Sequence, residues 1–474
     1  MRKDAPVAAR VPAALLGLTV LLGLLLAPLT VSPSTAFARE TAADLDRDAR
    51  SAFQRADYDR VLRLFEALPP GQEPSQDLLK VAMFSYLRLG QAEAAFRLYA
   101  RLIPPGRPDN LAWLRDVAFA FVTGRARDQE EYVRIAAYTV LSELGSRELV
   151  PILEDGLLDS SVLVRARAVE GLGRALQRSK GQAPSALAGL KRALQDSAPG
   201  VRIAALNALG EVRDKSALDQ IARIARTEEG AIQVFALAAL VKLGRSEAFA
   251  DLTGAATLPD SESRMAALGA LGRLKRPASL SVLSQSVYDP DPSVRAFAAG
   301  ALGEFGSPDA LTPLTHALGD ESPRVRSIAA ASLGRLGLAN AKPLLRQAVR
   351  DPVELVRAGA VEGLLRLGDG EAILVAADLA KHPDPSVRSA AAMALGLGGS
   401  PKALPVLDQL LRDQQPQPRL TAARSLGKAG GQAAAPLLKK ALLDTDVAVR
   451  IAAAGSLAQI LSRDCTGGKH HARS

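Results

Sequence analysis

Residues 289–337 read DPDPSVRAFAAGALGEFGSPDALTPLTHALGDESPRVRSIAAASLGRLG, and this stretch contains one pattern written twice. Arg295 and Arg326 stand 31 residues apart, each followed by Ala at +3 and Leu at +7. Steps of 31 from Arg295 reach Arg264 and Gln233 in one direction and Arg326, Arg357, Arg388, Arg419 and Arg450 in the other. A further step back reaches Arg202, an interval of 37 reaches Arg165, and a last step of 31 reaches Arg134, giving eleven copies. A fixed period of this length predicts a stacked solenoid, in which each copy buries its apolar face against its neighbours.

With the Arg position as zero, apolar residues at −1, +3, +4 and +7 share one face of a helix. Ala at +3 and Leu at +7 are present in every copy, from Ala137 and Leu141 to Ala453 and Leu457. Only a methyl is expected to fit at +3, as where two helices touch, and Leu at +7 is the knob into the next copy. Gly at +8 or +11 is expected to end the helix in the left-handed conformation. Pro151, Pro343, Pro405 and Pro436 open the first helix of their copies, a position that tolerates the missing N–H. Asp at −6 recurs eight times, at Asp128, Asp159, Asp196, Asp289, Asp320, Asp351, Asp413 and Asp444. The expectation is a helix cap, with the Arg at zero bonding the Asp or the loop carbonyls of an adjacent copy as a structural ladder. A constellation repeated this often argues against a unique active site. Gln233 and Leu258 break the ladder in copies four and five, and RSKGQAP at residues 178–184 is expected to form a basic flexible loop.

The consensus D-x-x-x-x-V-R-x-x-A-A-x-A-L-G-x-L-G resembles the short HEAT-like repeat of the armadillo superfamily, also called the phycobilin lyase type, from about Asp128 to Leu461. The resemblance implies an all-α fold, a right-handed α-α superhelix (solenoid) of about eleven 31-residue helix pairs. A different period precedes it. Ala56, Gly90 and Gly124 are 34 apart, as are Phe65 and Tyr99, and 12 of the 18 aromatic residues lie between Phe53 and Tyr138. With Leu79, Ala82, Met83, Tyr86, Ala95 and Tyr99 around Gly90, and Trp113 opening a third copy, this segment resembles a tetratricopeptide repeat. That family binds peptides and proteins; the alternative role is a cap over the first apolar face of the array.

Positions +2, +5 and +9 face away from the packing face, and in HEAT-like solenoids they line the concave side. At +5, Ala238, Gly269, Gly300 and Ala331 form a small-residue floor, with Phe235, Phe297 and Ile328 at +2 and Lys242, Arg273, Glu304 and Arg335 at +9. The predicted binding surface is a shallow apolar groove centred on Phe235, Phe297, Gly300, Ile328, Ala331 and Arg335, suited to a partner helix or extended segment. Burial of Phe235 and Phe297 between successive helices is the competing expectation.

Met1 to Ala38 has the layout of an export signal: Arg2, Lys3 and Arg10, an apolar run from Ala13 to Ala27, and Ala36-Phe37-Ala38 as a cleavage site. The alternative is an uncleaved anchor, since residues 11–31 carry no charge over 21 residues. The expected organisation is a signal peptide at 1–38, a tetratricopeptide-like segment at 39–125, a HEAT-like array at 126–462 and a disordered tail at 463–474. The formal charge of +9 falls to +7 without the leader, as 56 bases interspersed among 49 acids. No like-charge run tracks a phosphate backbone, so nucleic acid is not an expected partner. One cysteine, Cys465, precludes an intramolecular disulfide; with His470 and His471 it could hold a metal, though none is predicted. No His-Glu pair, P-loop, GxSxG or HExxH is present. The sequence therefore predicts a non-catalytic periplasmic or secreted scaffold for protein or peptide partners, without cofactor, touching a membrane only through an uncleaved leader. The alternatives are an enzyme or enzyme subunit of lyase type, or an accessory factor in cell-envelope assembly.

Overall fold

A computed structural model describes residues 42–467 apart from Pro70, with side chains described from 44 to 462. The leader, His470, His471 and the side chain of Cys465 lie outside the described residues. Every regular element among the described residues is helical. The entry segment forms α1 (Ala42–Gln54), α2 (Tyr58–Glu66), α3 (Gln76–Arg88), α4 (Ala92–Leu102) and α5 (Leu111–Thr123). The eleven Arg-bearing second helices are α6 (Glu131–Leu144), α8 (Val162–Arg178), α10 (Pro199–Val212), α12 (Gly230–Lys242), α14 (Ser261–Leu274), α16 (Pro292–Phe305), α18 (Pro323–Arg335), α20 (Glu354–Arg366), α22 (Pro385–Gly398), α24 (Pro416–Ala429) and α26 (Val447–Gly467). The odd-numbered helices between them, from α7 (Val150–Gly156) to α25 (Ala435–Ala441), are the shorter first helices.

The sequence positions take the packing places expected of them, with one reassignment. Ala at +3 is fully buried in all eleven copies, and Leu at +7 is at most 7% exposed. The +11 position ends the second helix with positive φ, as at Gly145, Gly306, Gly337 and Gly399, and Arg213 and Lys275 adopt the same conformation without being glycine. In the entry segment Ala56 does likewise (φ 58°), in phase with Gly90 (φ 72°). Gly at +8, by contrast, lies inside the helix. It is where the next copy comes closest: a Cβ on Gly303 would lie 2.6 Å from Ser332 Cβ, and one on Gly334 would lie 2.2 Å from Gly363 Cα. The partner is the small residue at +6 of the following copy, a pairing repeated at Gly173–Ala208, Gly210–Ala239, Gly272–Ala301, Gly396–Ser425 and Gly427–Ser456. Inner helices that meet through Gly and Ala, with first helices spaced by Leu outside them, make each copy a wedge. Wedges stacked in one sense curve the array.

The curvature closes. Each second helix packs on the next from α6 to α26, and α26 packs back against α5 and α6. The seam repeats the ordinary junction, because α5 sits between α26 and α6 as α9 (Pro184–Ala193) sits between α8 and α10. A Cβ on Gly455 of α26 would lie 2.3 Å from Val140 Cγ1 of α6. One apolar core runs continuously from Leu62 to Leu461. Eleven helices at the usual 8–10 Å spacing enclose an opening on the order of 20 Å.

The Arg–Asp ladder follows the ring. Arg295 donates from Nε and Nη2 to both carboxylate oxygens of Asp320 in the next copy, at 2.7 and 3.0 Å, and from Nη1 to the Asp289 and Pro290 carbonyls of its own. Seven such two-pronged rungs are present: 134–159, 165–196, 264–289, 295–320, 326–351, 388–413 and 419–444. The Asp is not itself the helix cap. Asp320 accepts the N–H of Ser322, the residue in the cap position, so it braces the turn two residues ahead of the helix. Hydrogen bonds from Arg165 and Arg388 hold the carboxyls of Asp196 and Asp413 below the ordinary carboxylate value, against the opposing effect of burial. Beyond the breaks at Gln233 and Leu258, His382 occupies the −6 position of copy nine, and Arg357 turns to Glu354 of its own helix. The inserted residues near 178–184 partly extend α8, whose Leu176 at +11 stays helical and buried; only Ser179 to Ala183 form a loop.

At the seam the rung is rebuilt from other residues. Arg450 reaches Glu93 of α4 at 3.6 Å through Nη2 alone, and its Nε has no hydrogen-bond partner. Arg125 bridges Glu93 and Asp128 at 2.7 and 3.1 Å, so four side chains replace two. Burial opposes ionisation of Glu93, yet Arg125 and Arg450 keep its carboxyl below the ordinary value. Beside it, Lys439 of α25 pairs with Asp109 and lies 5.2 Å from the centre of the Tyr99 ring, while the Tyr99 hydroxyl donates to Asp109 at 2.7 Å. Burial, and then Asp109, push the Tyr99 hydroxyl pKa well up.

Candidate functional site

Successive second helices pack directly on one another while the first helices chiefly touch their own and adjacent second helices. The second helices therefore form the inner wall. Positions −2, +2, +5 and +9 supply ten of the thirteen residues that line an apolar cavity in this wall. It holds about 380 Å³ and spans copies seven to nine. Ile328 and Ala331 of α18, Ala358 and Gly359 of α20, and Ala390 and Ala394 of α22 form its floor, with Leu355, Met393 and Leu397 along it and Arg324 and Arg335 on one side. Leu355 and Met393 are 42% and 50% exposed, large for apolar side chains on a helical wall.

At the floor α18 and α20 nearly touch. A Cβ on Gly359 would stand 2.4 Å from the Ser327 carbonyl oxygen, and the Ser327 hydroxyl donates to the Leu355 carbonyl at 2.8 Å. Glu362, only 6% exposed, is the single acid in the cavity lining, and it accepts from Arg366 Nε at 3.2 Å and Arg335 Nη2 at 3.5 Å. A buried carboxylate between two guanidiniums leaves the cluster positive.

Of the six residues singled out from the sequence, Ile328, Ala331 and Arg335 line this cavity. Phe297 and Gly300 lie one copy before it; Phe297 is 44% exposed, and the position of a Cβ on Gly300 falls 3.6 Å from Ile328 Cγ2. Phe235, two copies before Phe297, is half-buried against the core. Leu355, Gly359, Glu362, Met393 and Leu397 were missed. All but Leu355 occupy +2, +5 or +9 in copies eight and nine, so the register could have found them; Leu355 stands at −2, outside it. The small-residue stripe drew attention to copies four to seven instead. A second, more polar hollow occupies the same face in copies two and three, lined by Glu170, Arg174, Asn207 and Glu211.

The sequence matches the HEAT repeats family over residues 157–233, 282–365, 347–423 and 406–466, more than half of the chain, and the protein belongs to that family. No curated protein sequence matches it. Among solved structures, similarity extends to human deoxyhypusine hydroxylase in complex with glycerol, at 20% identity, over 54% of this chain and 97% of that one (TM-score 0.29). The CpcE–CpcF complex of phycocyanin lyase from Nostoc sp. is 19% identical over 57% of this chain and 93% of that one (TM-score 0.33). Kap121p bound to Nup53p is 15% identical over 90% of this chain and 54% of that one (TM-score 0.34).

Proposed function

We propose that this HEAT-repeat protein is a non-catalytic extracytoplasmic scaffold that holds protein or peptide partners against the inner wall of its ring. The observation that carries the reading is the cavity of copies seven to nine, where Leu355 and Met393 stand exposed over a floor of Ala and Gly. Exposed apolar side chains on a preformed, closely packed surface are what a partner's apolar face can desolvate at small conformational cost. The export-signal layout of Met1–Ala38 supports placing this surface outside the cytoplasm. The test is co-purification from the native envelope fraction with wild type, Met393→Glu and Phe297→Glu, each checked for helical content. A partner retained by wild type and lost from Met393→Glu, with a smaller loss from Phe297→Glu, is the expected result. Partners retained by both variants would sink the groove. A bound cofactor or turnover in the co-purified material would favour the enzyme-subunit alternative.

A further inference from the structure

The inner wall is electrically lopsided. In copies seven to ten the positions −2, +2, +5 and +9 carry five cations, Arg324, Arg335, Arg366, Arg424 and Lys428, against one acid, Glu362. The same positions in copies five and six carry Glu262, Arg273 and Glu304. Glu362 engages only Arg335 and Arg366. Arg324, Arg424 and Lys428 form no ion pair among the described residues, and Arg424 Nε is shielded from solvent without a hydrogen-bond partner. Two of these three, Arg324 and Lys428, are exposed. Arg324 borders the apolar residues Ile328, Leu355, Met393 and Leu397 directly, and Arg424 and Lys428 hold the positions of Met393 and Leu397 in the next copy. Elsewhere on this face Arg167 pairs with Glu170 and Lys242 with Glu211, and the long side chains without an ion pair among the described residues include the acids Glu143, Glu262 and Glu304.

Resting on the groove reading above, we propose that this arc receives one amphipathic helix with an acidic edge, its apolar face on Leu355 and Met393 and its carboxylates toward Arg324, Arg424 and Lys428. An opening on the order of 20 Å admits one helix of about 10–12 Å diameter with room for side chains. A helix threaded through the opening alongside the second helices can place apolar residues at i, i+3, i+4 and i+7 on Leu355 and Met393 and acids on either side. A nucleic-acid backbone fits worse. Its phosphates find no continuous cation track, since copies five and six present more acid than base, and the apolar residues between the cations would stay uncovered.

The test is selection of a random 20-residue peptide library displayed on phage against the full chain, followed by fluorescence anisotropy of the enriched peptides. Enriched sequences are expected to combine helical-spaced Leu, Ile, Phe or Met with at least two acidic residues. Replacing those acids by their amides should weaken binding at least tenfold. Arg324→Ala with Lys428→Ala, both at exposed positions that leave the core intact, should weaken it at least fivefold and flatten its salt dependence. Enriched peptides that bind undiminished after amide replacement, yet are lost with Met393→Ser, would overturn the acidic-helix proposal while leaving the groove reading standing. Absence of any enriched peptide would overturn both. Displacement of a bound peptide by duplex DNA at equal phosphate and carboxylate concentration would overturn the choice of a protein partner.

Discussion

The junction between copies six and seven and the junction between copies eleven and one do the same mechanical task with different means. At the first, Arg295 grips Asp320 with both prongs, Gly303 lies against Ser332, and the polypeptide itself runs across. At the second no peptide link runs across, one guanidinium nitrogen reaches Glu93 at 3.6 Å, and Gly455 meets the end of the Val140 side chain. Repetition of a sequence motif supplies identical junctions only between copies that follow one another in the chain. The eleventh copy meets the entry segment instead of another copy, and that segment provides the substitute through Glu93, Asp109 and Arg125. The ring is therefore expected to be weaker at this seam, and at the junctions where the ladder is interrupted, than at the seven regular rungs.

Five measurements bear on that difference, with local amide hydrogen exchange as the readout, because long repeat arrays need not unfold in one step. The largest effect is expected at the glycine contacts. Gly334→Ala meets the backbone of Gly363, which cannot yield, and should cost about 3 kcal/mol in the protection of α18 and α20. Gly455→Ala meets the Val140 methyl groups and should cost about 1 kcal/mol, restored by Val140→Ala. Equal effects at the two sites would remove the distinction.

The ladder comes next. Asp320→Asn leaves Arg295, 9% exposed, with only the exposed Glu321 as its anion and should cost about 2 kcal/mol locally, whereas Glu93→Gln should cost less than about 1 kcal/mol at the seam. The regular rungs also fix a pH dependence. Asp196 and Asp413 have folded pKa values below the unfolded value near ~3.9, so their contribution is fully present above that pH and is lost as pH falls through the lower folded values. Protection at these rungs should be constant from neutrality to about pH 5 and fall on further acidification; a loss already complete at pH 5 would contradict the assignment.

Salt separates the two junctions more gently. Raising NaCl from about 50 to 500 mM shortens the screening length from more than 10 Å to about 4 Å, which should speed exchange in α5 and at the start of α26 while leaving α16 and α18 unchanged. The smallest effect is a gain. Gln233→Arg together with Leu258→Asp writes the missing rung between copies four and five and should raise protection of α12 and α14 by no more than about 1 kcal/mol.

Much of this was legible in the residues because the relevant physics is local. A period of 31 with Ala and Leu at fixed offsets specifies a helix pair and the face it buries, and the left-handed turn at +11 follows from Gly recurring where a helix must stop. The role of Gly at +8 was not legible, since a glycine that admits a neighbouring helix and one that ends its own look alike in sequence. The register reached Ile328, Ala331 and Arg335 of the cavity lining, but that they join Leu355, Gly359 and Leu397 in one hollow depends on how closely α18 and α20 approach.

By itself the sequence determined the repeating unit, its core positions and the ladder between consecutive copies, all set by contacts within one or two periods. Only the tertiary structure decided that eleven such units close into a ring. Closure is a sum of roughly 33° from each copy, a quantity no single copy encodes. The rung that completes it joins Arg450 to Glu93, two residues with no shared place in any repeat.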